Sequence, residues 1–336
     1  MASPQPGTDA WHDLVQEEIL DPDRPIVDPH HHLWETQSMW GVYTLDDLWN
    51  DTESGHNIQK TVFIDCHSNY LTKGPDHLKP IGETEYVAAV AAESAETDNK
   101  ATIAAIVSHV NMQLGEGIEE VLAAHEEAGN GLFRGIRHAG PHDTSGTLRN
   151  PGSPRPCPYS NEDFRTGVRT LGELGYTYDT WHFFMQNQDY LSLAMACPET
   201  TMILDHFGTP LGVGAYANQQ EEIFAQWQKD VAAIAECPNV FAKLGGLAMP
   251  DNGFGWHERE QPPSSDEFVE AQKPYFMHMI ECFGPKRCMF ESNYPVDRLS
   301  VSYHVLWNAF KKLTTDFTDD EKNAMFHDTA SQIYRI

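Results

Sequence analysis

The apolar residues of this 336-residue chain fall into short runs separated by longer amphipathic stretches. Short runs that are rich in Val, Ile, Phe and Thr and bounded by turn residues are typical of β-strands. The pattern predicts eight strands, at residues 25–33, 61–67, 102–110, 132–138, 176–183, 200–208, 240–247 and 287–293. Between most of these strands the apolar positions recur at helical spacing instead.

Helices are predicted where a capping or acidic residue opens an amphipathic stretch. Asn161 precedes one such stretch, and Thr318 with Glu321 forms the pattern of a capping box. Residues 220–236 and 265–284 also show apolar residues at helical spacing. Alternation of strands and helices implies parallel strands, because a parallel crossover needs about a dozen residues or more.

Eight strand–helix units predict a single (β/α)8 TIM barrel at residues 25–336, preceded by an N-terminal extension at 1–24. The competing architecture is an open doubly wound sheet. That fold usually carries a glycine-rich phosphate turn, and neither GxGxxG nor GxxxxGK[ST] occurs here. Two stretches rich in Pro and Gly, 138–160 and 249–265, are predicted as long loops on the face where barrel active sites lie.

Charge and composition exclude several classes of partner. The chain has 22 basic and 50 acidic side chains, a formal net charge of −28, with the acidic residues dispersed. It would repel a polyanion or an anionic membrane, so we expect neither nucleic acid nor a membrane as a partner. No secretory signal or membrane-spanning run is visible, and the six scattered cysteines form no CxxC pair. A reduced, cytoplasmic protein is therefore expected.

The segment IVDPHHHLWE (26–35) is the first candidate site. If it is extended, side chains alternate between two faces, so Asp28, His30 and His32 share one face and His31 takes the other. Two imidazoles placed two residues apart at a strand end can reach one small cation. The alternative is a surface histidine cluster without a ligand.

Polar residues also mark the ends of the other predicted strands. In a barrel these ends converge on one cavity, and repetition on nearly every strand is hard to produce by chance. About half of these residues are expected to face solvent or other residues instead. The strand-end residues are His30, His32, Asp65, His67, His109, Arg137, His138, Asp179, Trp181, Asp205, His206, Lys243, Glu291 and Asn293.

Four segments together resemble a known family. IVDPHHHLWE, MILDHFGTP, VFAKLGGL and RCMFESNYPVDR resemble the amidohydrolase-related branch of the amidohydrolase superfamily, in the family's strand order and from about residue 25 to the end. The branch includes lactone hydrolases and relatives that decarboxylate aromatic acids. The resemblance implies that His30, His32 and His206 bind a divalent metal, with zinc expected, or polarise the substrate directly without a metal. Three imidazoles leave an open position on a zinc-like ion, as in catalytic sites.

The last strand departs from the family pattern. Where the family usually has an Asp that ligates the metal and acts as general base, this chain has Asn293. An amide is not basic near neutral pH and is a poor ligand for a hard cation. Glu291, on the same face, would supply the missing carboxylate, orient Asn293, or form a purely structural pair with Lys243. We therefore treat Glu291 and Asn293 as candidate catalytic residues that manage the water.

Other residues suit substrate binding. Arg137 and Lys243 would hold a carboxylate or polarise an oxyanion. Trp181 and Tyr294 would form an apolar wall, and Gln186 resembles a Gln that the family places near the cavity. His138 and Asp179, which lie at the ends of predicted strands, complete the set of candidate substrate-binding residues.

The sequence thus predicts a hydrolase of a small carbonyl substrate, most plausibly a lactone or ester that bears a carboxylate. One alternative is the non-oxidative decarboxylation of an aromatic or unsaturated acid. A second alternative is a barrel that has lost catalysis and serves as a binding protein, which Asn293 suggests. A homodimer is expected from the resemblance alone.

Overall fold

Strands alternate with helices along most of the chain. The computed structural model describes residues 3–150 and 152–336, and over these residues the strands are β1 (Ile26–His31), β2 (Trp34–Ser38), β3 (Gly41–Tyr43), β4 (Ile58–Ile64), β5 (Thr102–Ser108), β6 (Phe133–Arg137), β7 (Thr177–Thr180), β8 (Met202–Leu204), β9 (Val240–Leu244) and β10 (Cys288–Phe290). The α-helices are α1 (Asp9–His12), α2 (Leu45–Thr52), α3 (Ile81–Glu96), α4 (Ile118–Ala128), α5 (Glu162–Glu173), α6 (Asn187–Ala196), α7 (Gln220–Ala235), α8 (Ser265–Phe283), α9 (Tyr303–Leu313), α10 (Asp319–Asn323) and α11 (Thr329–Tyr334).

Eight of these strands form one parallel sheet in the order β1-β4-β5-β6-β7-β8-β9-β10. The ends of the sheet meet, because the backbone N–H of His32 donates to the carbonyl oxygen of Tyr294 (2.8 Å). Beside that bond, the buried carboxylate of Asp28 accepts the backbone N–H of Ser292 (2.9 Å). The predicted single (β/α)8 TIM barrel and its eight strands are confirmed.

A short antiparallel hairpin, β2 paired with β3, lies between the first and second barrel strands. The sequence does not predict it, since its residues are mostly polar or half-exposed and only Trp34 and Tyr43 are buried. The two predicted loops are confirmed. Apart from Pro151, which lies outside the described residues, 138–160 and 249–265 contain only short 3-10 turns, an isolated bridge and the first residue of α8.

Apolar side chains fill the barrel and the layer between strands and helices. The final helix, α11, closes the barrel interior, with Tyr334 fully buried. The interior cluster consists of Val27, Val62, Ile64, Ala105, Val107, Ile203, Met289, Ala330, Ile333 and Tyr334. Because the core fills the barrel from one end, the other end is left for polar side chains.

The N-terminal segment packs on the barrel. Trp11 is fully buried and its indole N–H donates to the carbonyl oxygen of Arg259 (3.1 Å). Lys311 of α9 donates to the carbonyl oxygens of Leu20 and Asp21, each at 2.8 Å. Of the extension predicted at 1–24, residues 1 and 2 lie outside the described part of the chain.

Two further features concern membrane-spanning helices and disulfide bonds. Within residues 3–150 and 152–336, no helix combines the length and apolar character needed to cross a bilayer. All six cysteines are unbridged.

Two glycines allow the end of β9 to approach its neighbours closely. A Cβ at Gly245 would lie 2.2 Å from the carbonyl oxygen of Glu291, and a Cβ at Gly246 would lie 2.2 Å from Nδ1 of His206. Gly246 also has φ +74°, in the left-handed region. The pair in VFAKLGGL therefore fixes how β9 packs against the loop that follows β8.

Gly246→Ala is predicted to destabilise the fold strongly. Gly131→Ala is the matched control, because Gly131 has φ +85° but nothing within 4 Å of its added Cβ. We expect the control to cost about 1 kcal/mol through backbone strain and Gly246→Ala to cost at least about 3 kcal/mol, since it adds a collision. Urea unfolding of both variants measures the difference, and equal losses would contradict the close approach.

His125 of α4 is a buried histidine away from the barrel mouth. Its Nε2–H donates to the carbonyl oxygen of His109 (3.0 Å), and its Nδ1 accepts from the hydroxyl of Thr84 (2.8 Å). Burial, more than any other cause, lowers the pKa of His125 to about 4. Between pH 6.5 and 4 the unfolded chain therefore binds more protons than the folded one, so this residue makes stability fall as pH falls.

His125→Gln is predicted to weaken this pH dependence. Between pH 7 and 5, the wild-type loss of unfolding free energy should exceed that of the variant by about 2 kcal/mol. Denaturant unfolding at the two pH values measures this, with His77→Gln, a change at an exposed histidine, as control. An unchanged difference in His125→Gln would show that His125 is protonated equally in both states.

Candidate active site

Three imidazole rings meet at the carboxyl end of the barrel. His30 lies in β1, His32 follows it, and His206 follows β8, the sixth barrel strand. The Nε2 atoms of His30 and His32 are 3.3 Å apart, and the ring centroids of His30 and His206 are 4.5 Å apart. All three side chains are buried. The structure thus brings together the three histidines predicted as metal ligands.

The carboxyl group of Glu291 lies directly against two of these rings. Its Oε2 is 2.7 Å from Nδ1 of His30, and its Oε1 is 2.7 Å from Nδ1 of His206. Burial raises the pKa of Glu291 to about 8, although Lys243 acts in the opposite direction. Glu291 is fully buried and contacts the histidines. This position favours a role through the rings over the predicted direct role on water.

The hydrogen bonds assign a tautomer to each ring. Arginine only donates, so Nε2 of His30 accepts from Nη1 of Arg137 and the ring hydrogen lies on Nδ1, 2.7 Å from Oε2 of Glu291. Nδ1 of His206 donates to Oε1 of Glu291. Nδ1 of His32 donates to the carbonyl oxygen of Ile64 (2.8 Å). All three Nε2 atoms then carry lone pairs. Burial, the largest cause in each case, lowers the pKa of His206 to about 3 and those of His30 and His32 well below the ordinary value, so the rings are neutral.

This set of donors fits a small divalent ion. Neutral imidazoles whose other nitrogen is held by a carboxylate or a carbonyl are the common ligands of zinc. The facing lone pairs of His30 and His32 also repel each other unless a cation or a hydrogen-bond donor approaches them. Nη1 of Arg137, 3.3 Å from Nε2 of His30, is the donor that approaches in the structure.

A network of buried charges lies on the Nδ1 side of His30. Nζ of Lys243 is 2.8 Å from Oδ2 of Asp179 and 3.3 Å from Oδ1 of Asp205. Burial alone would lower the pKa of Lys243, but Asp179, Asp205 and Glu291 outweigh it and the pKa is raised. Burial also raises the pKa of Asp205 to about 7, against the effect of Lys243. Lys243 and Asp179, predicted to bind substrate, are fully buried and bound to each other.

A cavity of about 150 Å³ lies against His32 and His206. Arg137 and Trp181, both predicted to contact substrate, line it, so one cation and several apolar walls face a bound molecule. The other lining residues are Trp34, Trp40, Asp65, Cys66, His67, Ala139, Asn150, Met249, Asn293 and Val296.

Asn293 stands in the cavity wall, where the resemblance implies an Asp in other members. Its Nδ2 donates to Oδ1 of Asp297 (2.9 Å), which leaves its own Oδ1 as a free acceptor. Its φ of +55° is left-handed. Asp297 is buried, and burial raises its pKa well above the ordinary value. Asn293 can therefore orient a water molecule but cannot take its proton.

Besides Lys243 and Asp179, three more predicted substrate-binding residues lie outside this cavity. Tyr294 is fully buried, and its hydroxyl donates to the carbonyl oxygen of Val301 (2.6 Å). The amide of Gln186 bonds to two backbone groups of nearby loops. Nδ1 of His138 accepts a backbone N–H, and the residue lines a neighbouring cavity of about 760 Å³. The polar groups of Tyr294 and Gln186 are occupied by the fold, and none of the three residues lines the smaller cavity.

The sequence does not indicate a role for several other residues that line the cavity. In the sequence, Asp65 and His67 stand out only as polar residues at a strand end. Trp34 and Trp40 come from the hairpin, and only the position of Trp34 in HLWE, next to the histidines, hints at the site.

Comparison with known proteins identifies relatives over nearly the whole chain. The chain is 30% identical to the uncharacterised protein y4mH of Sinorhizobium fredii over 334 residues, which is 94% of this chain and 99% of that protein. It is 25% identical to an L-fucono-1,5-lactonase of Burkholderia multivorans over 52% of this chain and 56% of that enzyme. It is 23% identical to an L-rhamnono-gamma-lactonase of Scheffersomyces stipitis over 93% of this chain and 98% of that enzyme.

Solved structures agree on the fold. A crystal structure of an amidohydrolase from Burkholderia multivorans with bound zinc superposes with a TM-score of 0.69 at 21% identity, over 93% of this chain and 99% of that one. The model of the amidohydrolase family matches residues 27–336. The chain therefore belongs to the amidohydrolase family and is a hydrolase of the amidohydrolase superfamily.

Proposed function

We propose that this hydrolase opens a small lactone or related ester that bears a carboxylate. The observation that carries the proposal is the position of Arg137. Its guanidinium lines a small cavity beside His206, with Nη1 3.3 Å from Nε2 of His30. A cation there can pair with an anionic substituent or with the oxyanion of the carbonyl under attack. Two relatives are lactonases by name, which supports a lactone as the reacting group.

A divalent ion would be held by the Nε2 atoms of His30, His32 and His206. Such an ion would polarise the lactone carbonyl and lower the pKa of the attacking water to about 7. Glu291 lies 2.7 Å from Nδ1 of His30 and of His206, a position that would fix the orientation of both rings and make them stronger metal ligands. Because such an ion would let the water lose its proton to solvent near neutral pH, the site would not need a carboxylate base at position 293, where this chain has Asn.

The remaining side chains orient the reactants. The Oδ1 of Asn293 accepts a hydrogen bond from the water, since its Nδ2 already donates to Asp297. Trp34, Trp40 and Trp181 give the cavity flat apolar walls against which a sugar or unsaturated ring packs, and which exclude bulk water.

Substrate class is tested by a panel. We expect turnover of a lactone that carries a free carboxylate, such as an aldaric acid lactone, to exceed that of the matching neutral sugar lactone by at least about tenfold in kcat/KM, because Arg137 pairs with the carboxylate. His206→Ala should lower kcat/KM by about 100-fold or more, whereas His327→Ala, at a half-buried histidine next to Asp328, should not. Proton release followed at constant pH measures hydrolysis.

The same panel separates the alternatives. Carbon dioxide released from an aromatic acid such as 2,6-dihydroxybenzoate, with no lactone turned over, would show a decarboxylase. No turnover of either class by the metal-loaded protein would favour a binding barrel. A preference for the neutral lactone would overturn the carboxylate assignment alone.

Glu291→Gln tests the role of the buried carboxylate. An amide accepts from one ring but presents its NH2 to the other, so one Nδ1–H loses its partner. We expect zinc to bind about 10–100-fold more weakly and activity to fall in proportion, with activity recovering at high zinc concentration. Zinc titration and rate measurement on the same samples check this. Complete inactivity at saturating zinc would instead indicate that Glu291 handles the proton itself.

A further inference from the structure

A second group of potential ligands lies where the small cavity, lined by Asp65 and His67, and the neighbouring larger cavity, lined by His109, come close. Asp65 directly follows β4, His67 lies two residues later, and His109 directly follows β5. One ligand atom from each of the three lies within 4.8 Å of the other two. None of these residues has a role in the hydrolysis proposed above.

The hydrogen bonds around the rings of His67 and His109 leave one nitrogen of each ring free to bind a cation. The hydroxyl of Tyr70 is 3.0 Å from Oδ1 of Asp65 and 2.9 Å from Nδ1 of His67. Because the carboxylate only accepts, Tyr70 donates to Asp65 and receives Nδ1–H from His67, which leaves Nε2 of His67 with a lone pair. Nδ1 of His109 donates to the carbonyl oxygen of Arg137 (3.0 Å), so its Nε2 is also free to ligate.

One oxygen of the Asp65 carboxylate faces the two rings. Its Oδ2 lies 3.9 Å from Nε2 of His67 and 3.9 Å from Nδ1 of His109. Both separations exceed a hydrogen bond of about 2.7–3.2 Å. Two bonds of about 2.0–2.2 Å to a shared zinc-like ion would span the gap between Oδ2 and Nε2 of His67. Nδ1 of His109 is held by the carbonyl oxygen of Arg137, so this ring would reach the same ion through its free Nε2. Only 2% of Asp65 is exposed, so bulk water does little to solvate the oxygen.

The conformation of His67 points the same way. Its backbone has φ +60°, in the left-handed region that only a few per cent of residues other than Gly adopt. Its side chain is nevertheless 64% exposed and lines the cavity. Packing therefore does not explain why a histidine occupies this position, whereas ligation would.

We propose that Asp65, His67 and His109 bind a divalent cation of the zinc type at a second site, separate from the three histidines His30, His32 and His206. Imidazole nitrogen with one carboxylate suits zinc and its neighbours and does not suit magnesium or calcium, which prefer oxygen. Three protein ligands leave a fourth position open to the cavity. Arg137, whose Nε is 4.0 Å from Oδ2 of Asp65, opposes a cation there, but it also faces Asp205 at 3.9 Å.

Zinc titration of the full chain by calorimetry, without substrate, tests the site. We expect the wild type to bind one more zinc ion than His67→Asn. Asn tolerates the left-handed backbone but is a poor ligand, so the variant removes the ligand and keeps the local fold. The control His327→Asn removes a surface histidine next to a single carboxylate, and should bind as many ions as the wild type.

A second readout locates the ion. Anomalous scattering at the zinc edge should show a peak within about 2.0–2.2 Å of Asp65, His67 and His109. Equal zinc counts in wild type and His67→Asn, or an extra ion located elsewhere, would overturn the proposal. The outcome is independent of lactone turnover, so failure of the proposed hydrolysis would not affect it.

Discussion

The site depends on the carboxyl group of Glu291, which lies 2.7 Å from Nδ1 of His30 and 2.7 Å from Nδ1 of His206. His30 belongs to the first barrel strand, His206 follows the sixth and Glu291 follows the eighth. A single buried group therefore ties three separated parts of the chain and sets the orientation of both rings. Burying a carboxylate costs several kcal/mol unless it is bonded on both oxygens and compensated by a nearby cation. Lys243 lies 4.0 Å from Oε2 and pairs more closely with Asp179 (2.8 Å) and Asp205 (3.3 Å), so one buried lysine offsets the charge of three acidic groups.

The eight barrel strands could be predicted because each is a short apolar run, and the histidine site could be predicted because period two places His30 and His32 on one face. What the sequence could not show is which strand-end groups turn into the cavity. The chain leaves β8 and β10 through left-handed backbone at His206 and Asn293. Such turns redirect the following side chains, so Tyr294 packs inward although it adjoins the site. The hairpin was not predicted because its strands are too short and too polar to show a pattern.

The exchange of an acid for an amide at position 293 changes where negative charge lies. Asn293 bonds to Asp297, which is buried and has a raised pKa, so this wall of the cavity offers a hydrogen-bond acceptor and little charge. The ionisable carboxyl group lies instead behind the rings, at Glu291, where it acts on the histidines. Such an arrangement stabilises positive charge on the imidazoles or on an ion that they hold, and it relieves the cavity of a group that would repel an anionic substrate.

Arg137 connects the two histidine groups. Nη1 approaches Nε2 of His30, Nη2 donates to the backbone carbonyl oxygen of Asp65, and Nε lies 4.0 Å from the Asp65 carboxylate. One guanidinium thus offsets the lone pair of His30 and the negative charge of Asp65. If a metal cation bound to either group of histidines, Arg137 would no longer interact equally with both. Like charges in a cavity of about 150 Å³ interact strongly, because little water separates them. Any cation or anionic substrate in this cavity therefore shifts the partners of Arg137, so the occupancy of one wall is coupled to that of the other.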